Sequence, residues 1–129
     1  MPAARHATLH RYYTAVWQHG DVAVLDDLLT SDYVDHDPLP GFGGDRAAAK
    51  AMAAHITSAM TDVRLQIHHL ISDGDLAAAH WTMTWWPVAG PGRPQDAAAR
   101  IRLRGHDFFR LRHDRICEVW HCEVPAGPV

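Results

Sequence analysis

RIRLRGHDFFRLRHDRICEVWHCE, residues 100–123, contains two strands, Arg100 to Arg112 and Arg115 to Glu123, joined by the tight turn His113-Asp114. Ile101, Leu103, Phe109 and Leu111 alternate with polar residues, and Asp107 shares their parity, so the same pleat that buries the apolar side chains carries a carboxyl inward. A buried carboxyl must be hydrogen-bonded, neutral or both. In the second strand His121 alternates with Val119 and Glu123, while Trp120 and Cys122 face the other way, and parity alone leaves open which set is inside. Ionisable groups set into apolar strands are where burial moves pKa values toward neutrality, so this hairpin predicts a pocket with proton chemistry.

Upstream, Val63, Leu65, Ile67, His69 and Ile71 alternate to one side of a strand, Asp73-Gly74 makes a hairpin turn, and Leu76 to Trp86 returns as a second long strand. Pro87 to Asp96, rich in proline and glycine, is a loop. Ahead of the strands, Leu9, Tyr12, Tyr13, Val16 and Trp17 recur at helical spacing, so Arg5 to His19 is an amphipathic helix stopped by Gly20. Asp21 is the expected cap of a shorter helix, Val22 to Leu29, followed by an extended Ser31 to His36. Asp45 caps a third helix with Ala48, Met52, Ile56 and Met60 as its buried stripe and Lys50 outside. The expected fold is α+β: three N-terminal helices and a curved antiparallel sheet of four long strands that wraps them, in one domain over residues 1–129.

Twelve Lys and Arg against fifteen Asp and Glu give a formal charge of −3, a poor profile for nucleic acid. No stretch approaches the length of a membrane span or a signal-peptide core, so a soluble cytoplasmic protein is expected. Cys117 and Cys122 lie on opposite faces of a regular strand, which excludes a simple mutual disulfide. Eleven histidines raise the question of metal, yet no tight ligand spacing exists, and His68-His69 project to opposite faces while His69 and His80 can meet across the hairpin; no metal site is expected. Nucleophile-elbow and phosphate-loop patterns are absent.

WQHGDVAVLDDLLTSDYVDHDP (Trp17 to Pro38) and GHDFFRLRHDRICEVWH (Gly105 to His121) resemble the SnoaL-like polyketide cyclases of the nuclear transport factor 2-like superfamily. The aromatic-x-x-Gly-Asp helix end, the Tyr-x-x-His-x-Pro segment, the Ser72-Asp73-Gly74-Asp75 turn and the closing Asp-x-Phe-Arg and Ile-x-Glu-x-Trp pattern follow the family's order. The resemblance implies a cone-shaped α+β barrel, a homodimer through the outer sheet face, and no cofactor. In that family an Asp follows the last strand's Trp as general acid/base; here the position is His121, a residue whose pKa also suits proton transfer. The sequence is similar as well to ketosteroid isomerase, whose pocket combines a helix-one Tyr, an Asp before a Pro and a protonated Asp on the penultimate strand. Tyr13, Asp37 and Asp107 match those positions.

The expected protein is therefore a cofactor-independent cyclase that closes a ring in an apolar, carbonyl-bearing polyketide-type intermediate. His121, Asp107, Asp37 and Tyr13 are its expected catalytic residues, and Trp17, His36, His55, Trp81 and Phe109 its expected substrate contacts. The rival readings are an isomerase or dehydratase of ketosteroid-isomerase type, an epoxide-opening enzyme needing Arg64 or Arg102 in its pocket, and a ligand-binding or dimerisation module whose cavity is filled by Trp81, Trp85 and Phe109.

Overall fold

The computed structural model describes residues 2–88 and 100–128, and side chains for 3–88 and 100–125. Helix α1 runs Pro2–Arg11 and continues as a wider, π-helical segment, Tyr12–Gln18. Gly20, at φ 73°, ends it. A 3₁₀ turn, Val22–Val24, leads into the short α2, Leu25–Leu28, and Asp21 makes no side-chain cap there, contrary to expectation. Strand β1 is Leu29–Asp35 and α3 is Arg46–Ser58, whose cap Asp45 accepts from the Ala48 amide at 2.8 Å. The long strands are β2 (Met60–Asp73), β3 (Leu76–Pro87), β4 (Ile101–Arg112) and β5 (Arg115–Pro128). The loop expected over Pro87 to Asp96 lies, beyond Val88, outside the described residues.

The sheet has five strands in the order β1-β5-β4-β3-β2, one more than the sequence suggested. The extra strand is the extended segment after α2, which pairs parallel with β5 and turns Leu29, Tyr33 and Asp35 inward. The other pairings are antiparallel, and His113 and Asp114, at φ 52° and 60°, form the tight turn between β4 and β5. Curved and unclosed, the sheet wraps the helices as a cone. Leu9, Tyr13 and Val16 from the first helix meet Phe109, Leu111, Ile116 and Val119 of the sheet, with Leu25, Leu29 and Ala53 between.

Two expectations of facing shift by a residue. On α3 Met52 is buried as expected, with Ala49 in place of Ala48 and with Ala53, while Met60, expected to end the stripe, is the first residue of β2. On β2 the partner register steps from Ile67↔Trp81 to His69↔His80, a bulge that leaves His68 over and reverses parity beyond it. Leu70 turns inward and Ile71 is 66 % exposed. The bulge also brings His68 and His69 to one face, where both rings lie near His80. Cys117 and Cys122 are free, as expected from their placement.

Candidate active site

Between the helices and the concave face of the sheet lies a cavity of about 450 Å³. Its walls are mainly apolar and aromatic, including Tyr12, Trp17, Tyr33, Trp81 and Trp85. One side carries the ionisable groups Asp35, Asp107, His121 and Glu123.

Asp107 is carried inward by its strand parity and is only 7 % exposed. Tyr13 Oη donates to its Oδ2 at 2.5 Å and Trp81 Nε1 donates to the same oxygen at 2.8 Å. Trp81 reaches it because its strand partner is Gly105: a Cβ there would fall 2.3 Å from the indole ring. Burial pushes the Asp107 carboxyl up to about 6, against the two hydrogen bonds, which favour the charged form. Tyr13 is pushed upward by burial and then by the negative Asp107 beside it, so it stays a donor. The π-helical turn matters here, because its wider spacing brings Tyr12 and Tyr13 together against Phe109, with ring centroids 5.6 and 6.2 Å away.

His121 is the direct cross-strand partner of Asp107. Its Nε2 lies 3.0 and 3.1 Å from the two oxygens of Asp35, and its Nδ1 lies 2.5 Å from Glu123 Oε1. Burial disfavours the charged ring, but hydrogen bonds to Asp35 and Glu123, reinforced by their charges, outweigh it and push His121 up to about 10. At neutral pH it is an imidazolium clamped between two carboxylates. Asp107, His121 and Glu123 also offer ligand atoms within 4.8 Å of one another, the group among the described residues that could hold a cation.

The structure gathers Tyr13, Asp107 and His121 in one cavity wall, with Trp17 and Trp81. Asp37 is not in that wall. Strand β1 ends at Asp35, the Asp37 amide donates to Asp35 Oδ1 at 2.8 Å, and the resulting bend turns the Asp37 side chain away from the cavity. Its Oδ2 accepts the backbone N–H of His121 at 3.0 Å, so it supports the histidine from outside. His36 also faces away, paired with Glu118 at 2.8 Å and stacked on Trp120. His55 is exposed on α3 near Phe42. Phe109 is inward but fully buried beneath the helix, a core residue and not a cavity-lining one.

Asp35 escaped the sequence reading. It is 5 % exposed, lines the cavity and holds His121. Its parity with Tyr33 was the available signal, but Asp37 shares that parity and stands before a proline, and only the bend after residue 35 separates them. Glu123 carried a signal in its alternation with His121.

The model of the SnoaL-like domain family matches residues 9–119. No curated protein matches the sequence. Among solved structures, a proposed polyketide cyclase from Acidithiobacillus ferrooxidans superposes with a TM-score of 0.80 at 23% identity, over 93% of this chain and 87% of that one. IdmH, a proposed polyketide cyclase from Streptomyces antibioticus, gives 0.77 at 22% identity, over 92% and 91%. TsrD from Streptomyces laurentii gives 0.77 at 20% identity, over 94% and 88%. These likenesses establish the shared fold.

Proposed function

This chain belongs to the SnoaL-like domain family, and from that premise we propose that it is a cofactor-independent cyclase, closing a ring in an apolar, carbonyl-bearing polyketide-type intermediate by acid/base catalysis. The observation that carries the reading is the pairing of Asp107 with His121, neighbours across β4 and β5 in one cavity but in opposed environments. Asp107, with a pKa near neutrality, is the base. His121, held protonated by Asp35 and Glu123, is the acid.

Asp107 removes a proton α to one carbonyl, and the electron pair becomes an enolate. The enolate carbon bonds to a second, internal carbonyl carbon, whose π electrons move to oxygen. The Nδ1 proton of His121 leaves Glu123, the exposed arm of the clamp, for that alkoxide. The proton on Asp107 then passes to the histidine, which offers a ring nitrogen within 4.8 Å of an Asp107 oxygen, so the net change is an isomerisation. Tyr13 and Trp81 orient the base, and the aromatic walls fold the chain so that the carbonyls meet.

Positions of other residues weigh against the rivals. An isomerase-type layout needs Asp37 in the pocket, and it faces away. Arg64 and Arg102 are exposed, and among the described residues no arginine lines the cavity, so an Asp-Arg-Asp epoxide site has no support. The open volume is unlike that of a filled, non-catalytic core.

The test uses α-proton exchange of 2-tetralone into heavy water, followed by NMR, because it reads the base alone. The protein should accelerate exchange, and Asp107→Asn should lower the acceleration by about 10²–10⁴, the worth of a positioned base. Unchanged exchange in a variant with an unchanged melting curve would contradict the assignment. We further propose a homodimer through the outer sheet face, where Trp86, Phe108 and Ile71 are exposed. Sedimentation at micromolar concentration checks it, and a monomer would contradict it.

A further inference from the structure

The cavity is an unusual charge environment. Asp35, Asp107 and Glu123 face it against a single imidazolium, and among the described residues no lysine or arginine lines it. The hydrogen bonds within the site leave specific atoms over. Asp35 is used by His121 and by the Asp37 amide. Asp107 receives both its donors on Oδ2, and Oδ1 has no partner among the described residues. Glu123 gives Oε1 to His121, and Oε2 is likewise without a partner there. Two carboxylates, each with a spare oxygen, thus stand close together in the cavity wall, Asp107 buried and Glu123 exposed.

We propose that the ligand of this cavity is an aminoketone: an apolar, ring-bearing body with a protonated amine seated on Glu123 and the carbon acid next to it on Asp107. The inference rests on the acid/base reading of the same site. An anionic ligand would meet three carboxylates and one already paired imidazolium. Glu123 is exposed, and a neutral ligand would strip water from its Oε2 without supplying a donor, whereas an ammonium supplies one as a charge-assisted hydrogen bond. The aromatic faces of Trp17, Tyr33 and Trp85 in the cavity wall add favourable sites for a cation. Ligand atoms of Asp107 and Glu123 lie within 4.8 Å of each other, a span that suits a nitrogen one or two bonds from the reacting carbon. The positive nitrogen also acidifies that carbon. The aromatic walls favour an organic cation over a hydrated metal ion.

Three probes on one bicyclic framework test this: 2-aminotetralin, 2-tetralol and tetralin-2-carboxylate, titrated at neutral pH with tryptophan fluorescence as the signal. The amine should bind roughly tenfold or more tighter than the alcohol, the size of one charged hydrogen bond, and the carboxylate weakest. Glu123→Gln should bring the amine down to the alcohol's affinity, both measured on that variant. Equal binding of amine and alcohol, binding of the carboxylate as tight as the amine, or an amine preference that survives Glu123→Gln would each overturn the proposal. Tight Zn²⁺ binding to the EDTA-treated protein that blocks the amine would assign the carboxylates to a metal and overturn it too. Exchange of neutral 2-tetralone needs no amine, so its persistence beside a failed amine preference would reject this inference and leave the cyclase reading standing.

Discussion

On the concave face of the sheet His121 sits between Asp35 and Glu123 and is pushed up to about 10; on the outer face His80 is pulled below the ordinary histidine value. Desolvation lowers both. What differs is the company: His80 is surrounded by His106, His68, His69 and Arg104, with the His69 and His80 Nδ1 atoms 3.2 Å apart. Carboxylates make one histidine a fixed cation, whereas burial first, and then the neighbouring imidazoles and Arg104, disfavour the charge on the second. Residue type alone therefore says little about a histidine's role, and neighbours decide it.

The comparison predicts unequal costs for losing a partner. Asp35→Asn removes one arm of a largely buried ion pair and should cost about 3–5 kcal/mol in denaturant unfolding, with the His121 pKa falling toward the ordinary range. Phe109→Ala, in the core just behind the site, should cost a similar ~3–5 kcal/mol, as expected of packing and not of ligand contact. Gly105→Ala should cost about 1–3 kcal/mol by overpacking and, by moving Trp81 off Asp107, change the tryptophan fluorescence and slow tetralone exchange. His80→Ala on the outer face should leave the unfolding midpoint close to that of the parent. A large loss for His80→Ala, or a negligible one for Asp35→Asn, would break the contrast.

The pH dependence of stability carries opposite signs on the two faces. His121 binds its proton more tightly folded than unfolded, so its stabilisation is complete below about 6.5 and is lost as pH rises through about 10. Asp107 is also raised, so its contribution favours folding below about 4 and is lost as pH rises through about 6. His80 is lowered, so its contribution is present above about 6.5 and is lost as pH falls through its folded value. Unfolding curves across pH should show the alkaline loss disappear in His121→Gln and the step between about 4 and 6 disappear in Asp107→Asn. Protonation of His80 should also weaken the proposed dimer in acid, which sedimentation across pH checks.

The sheet was legible because alternation over ten or more residues survives local irregularity, and the inward placement of Asp107 followed from it. What stayed hidden depended on single-residue events. The bulge at His68 has no composition signal, yet it reverses Ile71 and assembles the outer histidines. The bend after Asp35 exchanges the roles of Asp35 and Asp37, two carboxylates of the same parity. Phe109 was rightly turned inward, but only the position of the first helix over it shows that it belongs to the core.

An NMR titration of both side chains in one sample distinguishes Asp107 as base and His121 as cation from the reverse. Asp107 should titrate near 6, and the His121 ring should keep both protons through neutrality and lose one near 10. A His121 ring that deprotonates at or below about 6.5, with Asp107 ionising near about 4, would contradict that assignment.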